Sequence, residues 1–130
     1  MIDLRHSTCK YGQTVRREWD KFKELNAPLF DDIELPPVRW NSRITRSYGR
    51  TTRVNGFNTR IDLTTRFKHP RVPMKRFKHT LNHEFIHLLV YNHGIEFRRI
   101  ARPMGITRFN PHTLPRAKPR RRRSGYIRLM

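Results

Sequence analysis

At 130 residues the chain is long enough for one domain with a modest core, and its one cysteine, Cys9, excludes a disulfide framework and any cysteine-built zinc ribbon. With 29 Lys and Arg against 10 Asp and Glu it carries a formal charge of +19, more than solubility requires and suited to a polyanionic partner, nucleic acid before an anionic membrane surface. No apolar run is long enough to span a bilayer, and MIDLRHSTCK lacks the apolar centre of a signal peptide, so the expected setting is intracellular: cytoplasm, nucleoid or nucleus.

Residues 13–25, QTVRREWDKFKEL, set Val15, Trp19, Phe22 and Leu25 on one helical face, with Thr14 as candidate N-cap and Asn26 followed by Pro28 as the stop. The loop LFDDIELPP offers Leu29, Phe30 and Ile33 for packing back. From Val38 the period shortens. VRWNSRI alternates imperfectly, and SYGRTTRV and FNTRIDLTT flank Asn55-Gly56, a hairpin signal because both turn positions favour positive φ. The pattern predicts a three-stranded antiparallel meander over 38–66 with one arginine-studded face, in which Trp40, Tyr48 and Phe57 serve as packing residues more than as platforms for bases. After Pro70 and Pro73 a helix is predicted from about Met74 to Tyr91, ended by Asn92-His93-Gly94 and followed by a short helix, Ile95 to Ala101. The class is therefore α+β. Residues 1–110 read as the folded domain and 111–130 as a basic, disordered tail, whose Arg116, Lys118, Arg120, Arg121, Arg122 and Arg123 are the candidate nucleic-acid contacts.

Acids become scarce after residue 36. From Pro37 onward 23 Lys and Arg stand against three acids, Asp62, Glu84 and Glu96, and two of these fall in the window 83–96 together with three of the seven histidines. The stretch HEFIH explains the clustering chemically. On a helix His83 and His87 share a face about 6 Å apart along the axis, a separation at which two imidazoles reach one zinc ion. Glu84, one step round, can hold a water at the metal without ligating it and act as general base, then general acid. A catalytic zinc takes three protein ligands, and His93 supplies the third if the helix breaks before it, as Asn92 and Gly94 allow. His79 is the rival, but it would lie about 12 Å from His87 along the helix. Glu96 suits an ion pair with Arg98 or Arg99, or a cap on the short helix, better than the role of partner to a ligand histidine. Tyr91 or an arginine is the candidate for stabilising an oxyanion.

HTLNHEFIHLLVYNHGIEFRRIARPMGI resembles the active-site segment of the SprT-like (Spartan-type) zinc metalloproteases, in which an HExxH helix is followed by an HG-x-x-F stretch holding the third histidine. The likeness covers roughly residues 15–106, with LFDDIELPPVRWNSRITRSYGRTTR and RIDLTTRF similar to the family's upstream helix and sheet. It implies a zincin-like fold, one Zn2+ per chain on His83, His87 and His93, Glu84 as catalytic acid/base, and a DNA-associated endopeptidase acting on proteins bound or crosslinked to DNA. Here LLVYN alone separates His87 from His93, and Cys9 alone cannot build the zinc ribbon many relatives carry, so this is a compact form. A monomer with no membrane partner, of phage or viral origin, is the expectation. The alternative is a non-catalytic nucleic-acid-binding or packaging protein that retains a zincin fold, against which Glu84 counts.

Overall fold

The computed structural model describes residues 2–106. Helix α1, Lys10–Leu25, forms where Tyr11, Val15, Trp19 and Phe22 recur every three or four residues, and it turns that stripe onto the core. It starts three residues ahead of expectation. Cys9 is the N-cap, and Thr14 lies buried inside the helix, its hydroxyl donating to the Lys10 carbonyl at 2.8 Å. At the far end the Asn26 side chain donates to the Phe22 carbonyl at 2.9 Å.

Strands β1 (Val38–Asn41), β2 (Gly49–Val54) and β3 (Phe57–Thr64) form one sheet in the order β1-β3-β2. β2 and β3 make the expected hairpin, with Asn55 at φ 51° and Gly56 at φ 82°. The expected antiparallel meander is corrected at its first strand: β1 lies parallel to β3, with Val38 opposite Ile61 and Trp40 opposite Leu63, so the sheet is mixed. The reason is twofold. β3 is the longest strand and its second half, Ile61 to Thr64, is fully buried, so it takes the centre. Residues 42–48 can then bridge the roughly 10 Å from one edge to the other, and they are held over the end of β3 by bonds from Thr64 to the carbonyls of Ile44 (3.1 Å) and Tyr48 (3.0 Å).

Helix α2, Met74–Ile86, lies between α1 and β2, and α3, Ile95–Ala101, closes the chain's described part with a 3-10 turn, Arg102–Met104. Phe85 meets Trp19 at 5.0 Å and Phe22 at 5.4 Å between ring centres, while Phe77 meets Tyr11 at 5.1 Å and Phe67 at 5.6 Å, so one aromatic layer joins both helices to the sheet's end. Trp40 and Tyr48 join this layer against Phe77 and Phe67, as packing residues; Phe57, at the hairpin tip, is 74% exposed. Asn82 of α2 donates to buried Glu18 of α1 at 3.1 Å, fixing the helices' relative rotation. α2 ends five residues short of the predicted Tyr91. The apolar run continues, but Leu88, Leu89 and Val90 donate back to Phe85 and Ile86 in a tight turn, and Leu88 reaches the core from there. Among the described residues no helix is long and apolar enough to cross a membrane. The expected boundary at 110 and the tail 111–130 lie outside the described residues.

Candidate metal centre and active site

His83 stands in the last turn of α2 and His87 is its C-cap. The turn of residues 88–92 folds back, Asn92 accepting from the Gly94 amide at 2.9 Å, and returns His93 to the same place. The three Nε2 atoms form a nearly equilateral triangle: 3.2 Å between His83 and His87, 3.1 Å from each to His93. Phe97 of α3, buried in the core, lies 4.9 to 5.0 Å from all three rings and floors this cluster.

The donor set suits zinc. Three nitrogens at about 2.0–2.1 Å from a tetrahedral ion stand roughly 3.3 Å apart, close to the triangle observed, and a three-nitrogen face leaves the fourth corner open. His87 is prepared for the role. Its Nδ1 donates to the Val90 carbonyl at 2.9 Å, so the neutral ring turns the lone pair of Nε2 into the triangle. Burial, helped by the Arg53 charge, lowers the His87 pKa and so favours the neutral ring. His79 lines the same cleft but is not among the three histidines whose ring nitrogens lie together.

Beside the triangle Glu84 is only 5% exposed, and its Oε1 accepts a 2.7 Å hydrogen bond from the Thr51 hydroxyl of β2. Burial pushes its pKa up from 4.5 to about 7, against the opposing pull of the Thr51 bond and the Arg50 charge. The close approach of strand and helix depends on Gly49: a Cβ there would meet Thr80, Glu84 and Leu63 at 3.1 to 3.2 Å. Because β2 is an edge strand, a cleft of about 710 Å3 opens between it and α2, lined by residues that include Arg46, Gly49, Arg50, Thr80, Glu84 and the three histidines. Tyr91 lines it too, 63% exposed, with the Arg53 guanidinium 4.1 Å from its ring centre. A helical HExxH with a third histidine close by, a buried carboxyl beside them and an edge strand along the cleft form one arrangement, and the family model for the SprT-like family matches residues 19–117.

The chain belongs to the SprT-like family. Among curated proteins and solved structures, none matches. In this SprT-like chain, Thr51, Arg53 and Asn58 are not apparent from the sequence, because their relevance depends on which face of the β2–β3 hairpin meets α2 and the turn after it. Glu96 sits exposed in the first turn of α3, where a carboxylate suits the helix dipole, and it makes no ion pair among the described residues. Of the remaining histidines, His69 accepts from the Arg71 amide away from the site. Arg116, Lys118, Arg120, Arg121, Arg122 and Arg123, like His112, lie outside the described residues.

Proposed function

We propose that this SprT-like chain is a zinc-dependent endopeptidase that works on proteins held on DNA. The observation that carries the reading is the triangle of His83, His87 and His93 with the buried, nearly neutral-pKa carboxyl of Glu84 beside it, on the wall of an open cleft. His83, His87 and His93 would hold the ion, which when bound supplies a Lewis acid for the peptide carbonyl and lowers the pKa of water. Glu84 takes the proton from the attacking water and delivers it to the leaving amine nitrogen. Thr51 occupies one of its carboxylate oxygens, which fixes the plane of the group and leaves the other for the proton. Among the described residues β2 is an edge strand, and its edge lies along the cleft, suited to pair with the backbone of an extended substrate.

The association with DNA rests on charge. Strand alternation puts Arg39, Arg50 and Arg60 on the face of the sheet turned away from Ile61 and Leu63, around one acid, Asp62, which pairs with Arg39 at 2.6 Å and Arg60 at 3.0 Å. That face and the arginines of residues 116–123 suit a phosphate backbone read without sequence preference.

The test measures zinc content and cleavage of a basic protein substrate, with and without single-stranded DNA, for the wild type and Glu84→Gln. One zinc per chain and DNA-stimulated cleavage lost in the variant support the reading. One zinc with no cleavage in any DNA context favours a nucleic-acid-binding protein that keeps the fold, and no zinc overturns the metal site.

A further inference from the structure

The compact link between His87 and His93 leaves five residues to reverse the chain and return a ligand to within 3.1 Å of the other two. An α-helix ends with carbonyls that have no partner inside the helix; here the amides of Leu88, Leu89 and Val90 take those of Phe85 and Ile86, which leaves the next two, of His87 and Leu88, to be met from outside the turn. The hairpin of β2 and β3 does this. Nη2 of Arg53 donates to the carbonyls of His87 at 3.2 Å and Leu88 at 3.0 Å, and Nδ2 of Asn58 donates to the Leu88 carbonyl at 2.9 Å. Nε of Arg53 donates to Oδ1 of Asn58 at 3.2 Å, which locks the two side chains together, while the guanidinium lies over the Tyr91 ring.

A register shift makes this possible. Thr52 faces Arg60, but Arg53 faces Asn58, so Thr59 is an extra residue in β3, its hydroxyl tied to the Thr52 carbonyl at 3.1 Å. Without that bulge Arg53 would face Thr59, and Asn58 would belong to the opposite face of the sheet. The bulge thus brings two donors from neighbouring strands over the same helix end, where a cation also complements the helix dipole.

We infer that Arg53, with Asn58, is the positioning residue of the metal centre: it fixes the turn after α2 from which the Val90 carbonyl orients His87 and from which His93 returns. The inference rests on the zinc-site reading above. It acts through the backbone, since Arg53 touches the carbonyls of residues 87 and 88 and the face of Tyr91, not the ring nitrogens.

The test uses the full-length chain, with zinc affinity read by competition against a chelating dye and the geometry of the centre read from the visible absorption bands of the cobalt(II)-loaded protein. Arg53→Ala should weaken zinc about 10- to 100-fold, the usual cost of losing a group that orients a metal ligand, and should shift the cobalt bands. Asn58→Ala should move both readouts the same way by less. Arg53→Lys, a point charge without the fork, should recover only part of the loss. Arg17→Ala, which removes an exposed arginine of α1, should change neither. Wild-type affinity and wild-type cobalt bands in folded Arg53→Ala overturn the inference, and if that variant does not fold, the same result in Asn58→Ala does so. A wild-type chain that takes up no metal fails earlier, at the zinc-site reading, and is thereby distinguished.

Discussion

Replacing Glu84 by glutamine should stabilise the metal-free protein by an amount that grows as pH rises above 4.5 and is complete above about 7. Glutamine has nearly the same shape and can keep the Thr51 bond at Oε1, but it cannot ionise. In the wild type, burial raises the Glu84 pKa from 4.5 to about 7. Below pH 4.5 the folded and unfolded chains both hold the proton, so the group costs nothing. Between 4.5 and about 7 the unfolded chain releases it while the folded chain retains it, and stability falls steadily as pH rises. Above about 7 the loss is complete, at roughly 3 kcal/mol. Urea unfolding of metal-free wild type and Glu84→Gln at several pH values measures the difference directly, and effects of other titrating groups common to both proteins cancel. The variant should match the wild type near pH 4.5 and exceed it by roughly 3 kcal/mol at pH 8. Saturating zinc should narrow the gap at pH 8, because a cation beside the carboxyl favours its ionised form. A gap that is the same at pH 5 and pH 8, or below about 1 kcal/mol at pH 8, would refute the reasoning that burial holds this carboxyl largely protonated in the fold.

Three further outcomes follow from the site. His93→Ala should weaken zinc by roughly 100-fold or more, whereas His79→Ala, from the same cleft but outside the triangle, should leave zinc affinity unchanged; equilibrium dialysis separates the two. Thr51→Val should lower turnover by roughly tenfold. Because the Thr51 bond holds the Glu84 pKa down, its removal should also move the acid limb of the pH–rate profile to higher pH. Deleting residues 115–130 should weaken DNA binding and flatten its dependence on salt by about 0.9 in log–log slope for each phosphate the tail neutralises, and an unchanged slope would assign DNA binding to the sheet.

The parts of the molecule legible in the sequence are those fixed by local rules. The α1 stripe, the Asn55-Gly56 turn and the bounds of α3 all follow from spacing or turn chemistry within a few residues, and so does the pairing of His83 with His87 on one helical face. What the sequence hides is non-local. β1 runs parallel to β3 because a longer, more buried strand displaces it from β2, and no local pattern encodes that competition. The early end of α2 is hidden because the same apolar residues satisfy a helix or a turn reaching the same core. Thr51, Arg53 and Asn58 look like ordinary strand residues. Only the register of the hairpin, including the extra Thr59, shows that Thr51 serves Glu84 while Arg53 and Asn58 serve the turn.

The scarcity of acids from Pro37 onward sharpens the meaning of Glu84. In a chain with this surplus of arginine, a buried carboxylate is readily drawn into an ion pair, and Asp62 shows that outcome, clasped by Arg39 and Arg60. Glu84 is as well buried but is held by a hydroxyl. Thr51 faces it from the strand, while Arg53, two residues on, is committed to the carbonyls after α2, and Arg50 acts from a distance as a weak pull on its proton. An arginine bonded directly to Glu84 would fix it as a carboxylate too weakly basic to take a proton from water. A hydroxyl partner leaves its pKa near 7, where one group can both accept and return the proton. The protein's basicity and the site's chemistry thus conflict, and the alternation of β2, which sends Thr51 to the carboxyl and Arg53 to the helix end, keeps them apart.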